Sequence, residues 1–230
     1  MNTTQTDNLF EKIQHELFSG WKPFEVVWLG LFLVAQIIAF ILQPDTLLGM
    51  IAGISGIICV VFAGKGKISN YFFGLIFAYS YFYVSLGNNY LGEMNTTLYV
   101  YIPAQFIGYF LWKENMQSQD GNATVVAKSL DLKGWGILIA SVAVGSLCFI
   151  SALNHFGGSS AGLDGVTTVL VVAAQLLMIL RYREQWALWI VINILSMILW
   201  GETPAMYLMY GAYLLNSLYG YYNWTKLQKA

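Results

Sequence analysis

The sequence predicts an all-α membrane protein with eight transmembrane helices. They form two parallel three-helix repeats joined by an inversion-linker helix, plus one extra N-terminal helix. Three observations predict this. Long apolar runs carry almost no charge, the basic residues gather on one side of those runs, and two stretches at an offset of 112 residues resemble each other.

Of 230 residues, 57% are hydrophobic and 10% are charged, where a soluble protein carries about 25% charged. Eight runs, 26–43, 47–64, 68–87, 94–112, 134–154, 163–180, 185–201 and 204–224, contain no Lys, Arg or Glu. Their only Asp, Asp164, stands at the edge of its run. A helix crosses a bilayer with about 20 mostly apolar residues, and about 17 is the lower limit. A soluble bundle of eight such helices would keep almost no polar surface, so that class is excluded. With the N-terminus in the cytoplasm, all 11 Lys and Arg residues fall on that side, while the opposite loops hold Asp45, Glu93, Asp164 and Glu202. Positive residues stay inside. Both termini are therefore expected in the cytoplasm, with an even span count.

The N-terminal segment, 1–25, has no h-region or small-residue cleavage site of a removable signal. Within it, NLFEKIQHELFSG sets Leu9, Phe10, Ile13 and Leu17 on one side, the pattern of a helix lying on a membrane surface. The extra helix follows at 26–43, and the first repeat spans 47–112. The longest polar connection, 113–133, reads as a cytoplasmic linker. QFIGYFLW ends at Trp112 and NSLYGYYNW ends at Trp224, each with a glycine four residues earlier, Gly108 and Gly220. Tyr101 matches Tyr213 and Tyr109 matches Tyr221 at the same offset, and NYFFG (70–74) matches QWALW (185–189) more loosely. Three spans carry the chain across, so a second repeat of the same orientation, 163–224, needs one helix to cross back. The small-residue span 134–154 is positioned to do that, and a tail, 225–230, follows the second repeat. Parallel repeats of this kind belong to one class of transporter, with substrate held near the midplane between the halves.

No GxxxxGKS, GxxxxGKT, HExxH or GxSxG motif is present, and His15 and His155 lie outside the spans. No enzyme, cofactor, metal or nucleic-acid partner is expected. Proton relays and charge-coupled sites need an intramembrane Asp, Glu or His, which the spans lack; sodium held by backbone carbonyls stays open. Cys59 and Cys148 read as packing residues, and Trp21, Trp28, Trp112, Trp135, Trp186 and Trp224 as an interfacial belt. Gln105, Gln175, Asn193 and Asn216 lie well inside spans, where an unsatisfied amide costs several kcal/mol. Each alone reads as helix-to-helix bonding; four at similar depth favour a shared polar cavity. Trp186, Trp189, Asn193, Ser196 and Trp200 recur at helical spacing on one face, and Trp189 sits a turn deeper than the belt. Pro103, beside Gln105, is a candidate kink or hinge. Amides and flat rings without charge suit a planar heteroaromatic bearing a carboxamide and hydroxyls. A ring cation would rest on Trp or Tyr faces.

KISNYFFGLI (67–76), TTVLVVAAQLLM (167–178) and REQWALWIVINILS (183–196), with its W-x-x-W-x-x-x-N run, resemble the PnuC family of bacterial nicotinamide riboside transporters. The resemblance runs over most of 47–224. It implies a three-one-three fold of the SWEET type in the bacterial cytoplasmic (inner) membrane. It also implies facilitated diffusion of nicotinamide riboside, which a cytosolic nicotinamide riboside kinase then retains. Carried over by position, it points to Gln105, Gln175, Trp189 and Asn193, with Tyr213 and Asn216 from the last span; the α-helical stripe adds Ser196. Thiamine or riboflavin transport within the same family, and a structural or receptor-like subunit, are the alternatives. A homo-oligomer is compatible with all of these.

Overall fold

A computed structural model describes residues 9–42, 46–88, 91–119, 122–155, 161–200 and 204–228. Helix α1 (Leu9–Phe18) precedes α2 (Pro23–Leu42), α3 (Leu47–Gly64) and α4 (Asn70–Gly87). The next rod is broken into α5 (Leu91–Thr96), a π-helical turn (Thr97–Tyr101) and α6 (Ile102–Lys113). A hairpin of β1 (Met116–Gln119) and β2 (Asn122–Val125) follows. The chain ends with α7 (Leu132–His155), α8 (Ala161–Ile179), α9 (Gln185–Trp200) and α10 (Pro204–Leu227). Helix occupies most of the described part of each of the eight expected spans. Three helical stretches, Pro23–Leu42, Leu47–Gly64 and Leu132–Ala152, are each long and apolar enough to cross a membrane.

Six rods close a ring in the order α3, α4, α5–α6, α8, α9, α10, with α10 returning to α3. Outside the ring, α2 lies on α3 and α7 lies on α8. Helices α2 and α7 thus take equivalent peripheral places. Each keeps almost all of its surface out of the protein interior, as apolar helices facing lipid do.

The two hairpins of the ring share one backbone turn at an offset of 115 residues. Lys67 N donates to Phe62 O at 3.0 Å, and Tyr182 N to Leu177 O at 2.8 Å. The left-handed residue inside each turn is Gly66 (φ 71°) in the first and Arg181 (φ 69°) in the second. That region costs a side-chain-bearing residue about 1–2 kcal/mol, and the Arg181 guanidinium donates to Val126 O at 3.2 Å there. The third rods are tied across the halves reciprocally. Trp112 Nε1 donates to Met178 O at 3.0 Å, and Trp224 Nε1 to Ala63 O at 2.8 Å; Ala63 and Met178 are themselves 115 apart. Close approach depends on Gly108 and Gly220. An added Cβ would stand 2.3 Å from the Tyr71 ring at the first and 2.6 Å from the Trp186 indole at the second.

The interfacial reading of three tryptophans is therefore corrected. Trp112, Trp186 and Trp224 are buried in a core with Tyr71, Val125, Ala127 and Met178, because their indoles pack across the halves. The linker also differs from a plain polar connection. Its residues 125–128 lie across both turns: Val125 N donates to Gly66 O at 2.9 Å and Lys128 N to Arg181 O at 2.7 Å. Pro103 sits beside the break in the third rod. It has no N–H for the helical ladder, and the wider turn before it bonds Ile102 N to Thr97 O.

The described Lys and Arg residues gather at the end of the ring that holds these turns, hereafter the basic end. There α1 docks by Glu16, whose carboxylate accepts from Ser69 N at 3.3 Å and Ser69 Oγ at 3.1 Å. The buried Glu25 of α2 pairs with Lys65 and accepts from Tyr219, while Lys65 Nζ also donates to Gly20 O at 2.9 Å. Glu93 is at the opposite end, accepting from Tyr81 OH at 3.2 Å.

Candidate functional site

A cavity of about 220 Å³ lies inside the ring. Gln105, Gln175, Trp189, Asn193, Tyr213 and Asn216 all line it, so six of the seven expected residues come together from four rods. Ser196 does not. It lies one helical turn beyond Asn193, past the last α9 residue that lines the cavity, because periodicity selects a face and not a depth.

The amides are held differently. Gln105 Nε2 donates to Tyr101 O at 3.2 Å, and its buried Oε1 has no partner among the described residues. Gln175 Nε2 lies 3.9 Å from the Met178 sulfur, a weak contact. Asn193 Nδ2 donates to Ser217 Oγ at 3.2 Å, and that hydroxyl donates to Tyr213 O at 2.8 Å. Asn216 Nδ2 reaches Val60 O at 3.5 Å, across the two halves.

The repeat shares its backbone but not its chemistry. At the offset of 115, Gln175, Trp189 and Asn193 correspond to Val60, Gly74 and Ala78. At the offset of 112, Asn216 corresponds to Ala104, and only Gln105 reverses the pattern, facing Ser217. The second half presents the amides and the indole, and the first presents small residues. Gly74 leaves room where Trp189 stands in the other half: a Cβ there would meet Gln105 Oε1 at 2.3 Å.

Sequence reasoning missed Cys59, Tyr101, Gln185, Trp186 and Ser217, which also line the cavity. Tyr101 and Gln185 were within reach of the repeat, since they pair with Tyr213 and with Asn70. Cys59 carried no signal beyond its position in a span. The lining contains no Lys, Arg, Asp, Glu or His, and no cluster of potential metal ligands occurs among the described residues. Such a cavity can hold a neutral polar or singly charged aromatic ligand by hydrogen bonds and ring contacts.

A family model described as nicotinamide mononucleotide transporter matches residues 46–226. The nicotinamide riboside transporter PnuC of Haemophilus influenzae is 68% identical over 221 residues, covering 96% of this chain and 98% of that protein. That of Neisseria mucosa is 50% identical over 226 residues, covering 94% and 86%. A solved structure described as the crystal structure of the vitamin B3 transporter PnuC matches with a TM-score of 0.84 and 48% identity, over 94% of this chain and 97% of that one. A family match over residues 46–226 and relatives 68% and 50% identical over nearly the whole chain show that the chain belongs to the nicotinamide mononucleotide transporter family.

Proposed function

We propose that the protein takes up nicotinamide riboside by facilitated diffusion, with the substrate bound in the cavity between the two halves. The observation that carries this reading is the uncharged cavity wall of amides and indole. It is supported by two close relatives described as nicotinamide riboside transporters. Eight helices cross the inner membrane in this reading, arranged as an extra helix and then three, one and three. Both termini and the basic end face the cytoplasm, as the positive-inside rule requires. A cytosolic nicotinamide riboside kinase then traps what enters.

Direct binding of radiolabelled nicotinamide riboside to the purified protein, in competition with thiamine and riboflavin, tests the substrate. Displacement by either vitamin at equal concentration would refute the assignment. Uptake into liposomes tests the mechanism. With no Lys, Arg, Asp, Glu or His in the cavity wall, the initial rate should follow the substrate gradient and ignore imposed proton or sodium gradients. Accumulation above equilibrium, without kinase, would reveal a coupling ion.

Asn193 hydrogen-bonds the carboxamide in this reading, and Trp189 packs against the ring. Asn193→Leu keeps the size and removes the partner. It should weaken binding by about 0.5–1.5 kcal/mol, roughly two- to tenfold, with the melting temperature nearly unchanged. A lower melting temperature with unaltered affinity would mean that Asn193 only ties α9 to Ser217 of α10.

A further inference from the structure

Gln185 opens α9 at the basic end of the cavity, and it is wholly buried. Its Oε1 and its Nε2 both lack a partner among the described residues, although the side chain lines the cavity. A buried amide with neither donor nor acceptor used is rare in a native protein and destabilising. Its counterpart in the first repeat is Asn70, whose Nδ2 donates to Lys67 O at 2.6 Å within its own turn. Asn70 does not line the cavity. The second repeat has a longer amide at this place, and the extra methylene carries it past the turn to the cavity wall.

Spacing along α9 suggests what this amide binds. Gln185, Trp189 and Asn193 recur every fourth residue and all line the cavity. A helix rises about 1.5 Å per residue, so the three stand about 6 Å apart and span about 12 Å. An amide, an indole and an amide in that order match a ligand with a carboxamide at one end, a ring in the middle and hydroxyls at the other. An amide presents a donor and an acceptor side by side. Two neighbouring ribose hydroxyls complement it, one donating to Oε1 and the other accepting from Nε2.

We propose that Gln185 is a further substrate-binding residue that takes the vicinal hydroxyls of the ribose and so selects the riboside over analogues with an unhydroxylated sugar. The proposal rests on the substrate reading above. Sugar recognition then belongs to the basic end of the cavity and carboxamide recognition to the deeper turn at Asn193.

The test is equilibrium binding to the purified full-length protein. The probes are nicotinamide riboside and its analogue lacking both secondary ribose hydroxyls, with Gln185→Met as the isosteric apolar variant. Wild type should prefer the riboside by about tenfold or more, as expected for two hydrogen bonds. Gln185→Met should lose that preference and bind both ligands about as wild type binds the analogue. Its ligand-free melting temperature should be equal or higher, because an unsatisfied amide has been removed. Gln185→Asn, which keeps the amide and shortens its reach, should lower the preference only in part, and it carries the test if the methionine variant does not fold. A preference that persists undiminished in either folded variant overturns the proposal. Equal weakening toward both ligands also overturns it, since that marks a structural role. Wild type that binds the riboside without regard to its hydroxyls overturns this inference alone. Wild type that binds neither ligand overturns the substrate reading and this inference with it.

Discussion

Nicotinamide mononucleotide is expected to bind at least about a thousandfold more weakly than the riboside, in the range where a lost 1.4 kcal/mol is tenfold. The two ligands differ by a phosphate, which carries a charge of about −1.5 to −2 at neutral pH. Burying an unpaired ion costs several kcal/mol, and the cavity wall has no Lys or Arg to pair with it. Two buried lysines at the basic end, Lys65 and Lys67, are already engaged. Lys65 is held by Glu25 and Gly20, and Lys67 by the Glu16 backbone. The pyridinium charge of the ligand itself offsets part of the cost, since it remains in both compounds and lies within the same molecule. The family model is described by the mononucleotide and the close relatives by the riboside, and the charge inventory of the cavity favours the riboside. Displacement of labelled riboside by freshly purified mononucleotide, with phosphatases excluded, measures the ratio. Comparable displacement by the two would mean that a cation enters the cavity, and the lining would have to differ in the ligand-bound state.

The parts of this molecule that could be read from sequence are those in which a physical constraint acts on residue type. Lipid excludes charge, so the apolar runs and the one-sided lysines and arginines mark the helices and the basic end. A helix face repeats every 3.6 residues, so Trp189 and Asn193 announce themselves together. Depth does not repeat, and Ser196 falls outside the cavity for that reason. The repeat was legible where both halves need the same residue. Trp112 and Trp224 each donate an indole N–H across the halves, and Gly108 and Gly220 each admit a ring. It was illegible where the halves share only backbone. Gly66 and Arg181 occupy the same left-handed position with nothing in common as side chains. The burial of Trp112, Trp186 and Trp224 could not be read from their positions at span ends, because a tryptophan there serves a lipid headgroup or a protein core equally well. The linker hid its role in a polar stretch, in which Val125 and Ala127 are buried in the core.

Trp224→Ala should be among the most destabilising single substitutions in the protein, costing about 3–5 kcal/mol, the range for deleting a buried tryptophan side chain. The ring has 0% exposure and stands 5.4 Å from the Trp112 ring and 6.1 Å from the Trp186 ring, centroid to centroid. Lipid cannot fill the space it leaves, because the surrounding layer is protein on every side: Ala63, Tyr71, Val125, Ala127 and Met178 complete it. The substitution also strands Ala63 O, which accepts the indole hydrogen bond. Trp112→Ala should cost a similar amount for the mirrored reason, since Met178 O loses its donor. The two losses should not add. The indoles touch, so the second deletion enlarges an existing void and removes contacts already lost, and the double variant should fall short of the sum by a measurable interaction energy. Phe110→Ala is the control. It lies two residues from Trp112 on the same helix but is 61% exposed, facing lipid, so its removal leaves no void inside the protein and should shift stability little. Thermal or denaturant unfolding of the wild type and the four variants in one detergent distinguishes the readings. If Trp224→Ala and Phe110→Ala behave alike, these tryptophans act as membrane-surface anchors after all, and the interlocking of the halves through them is wrong.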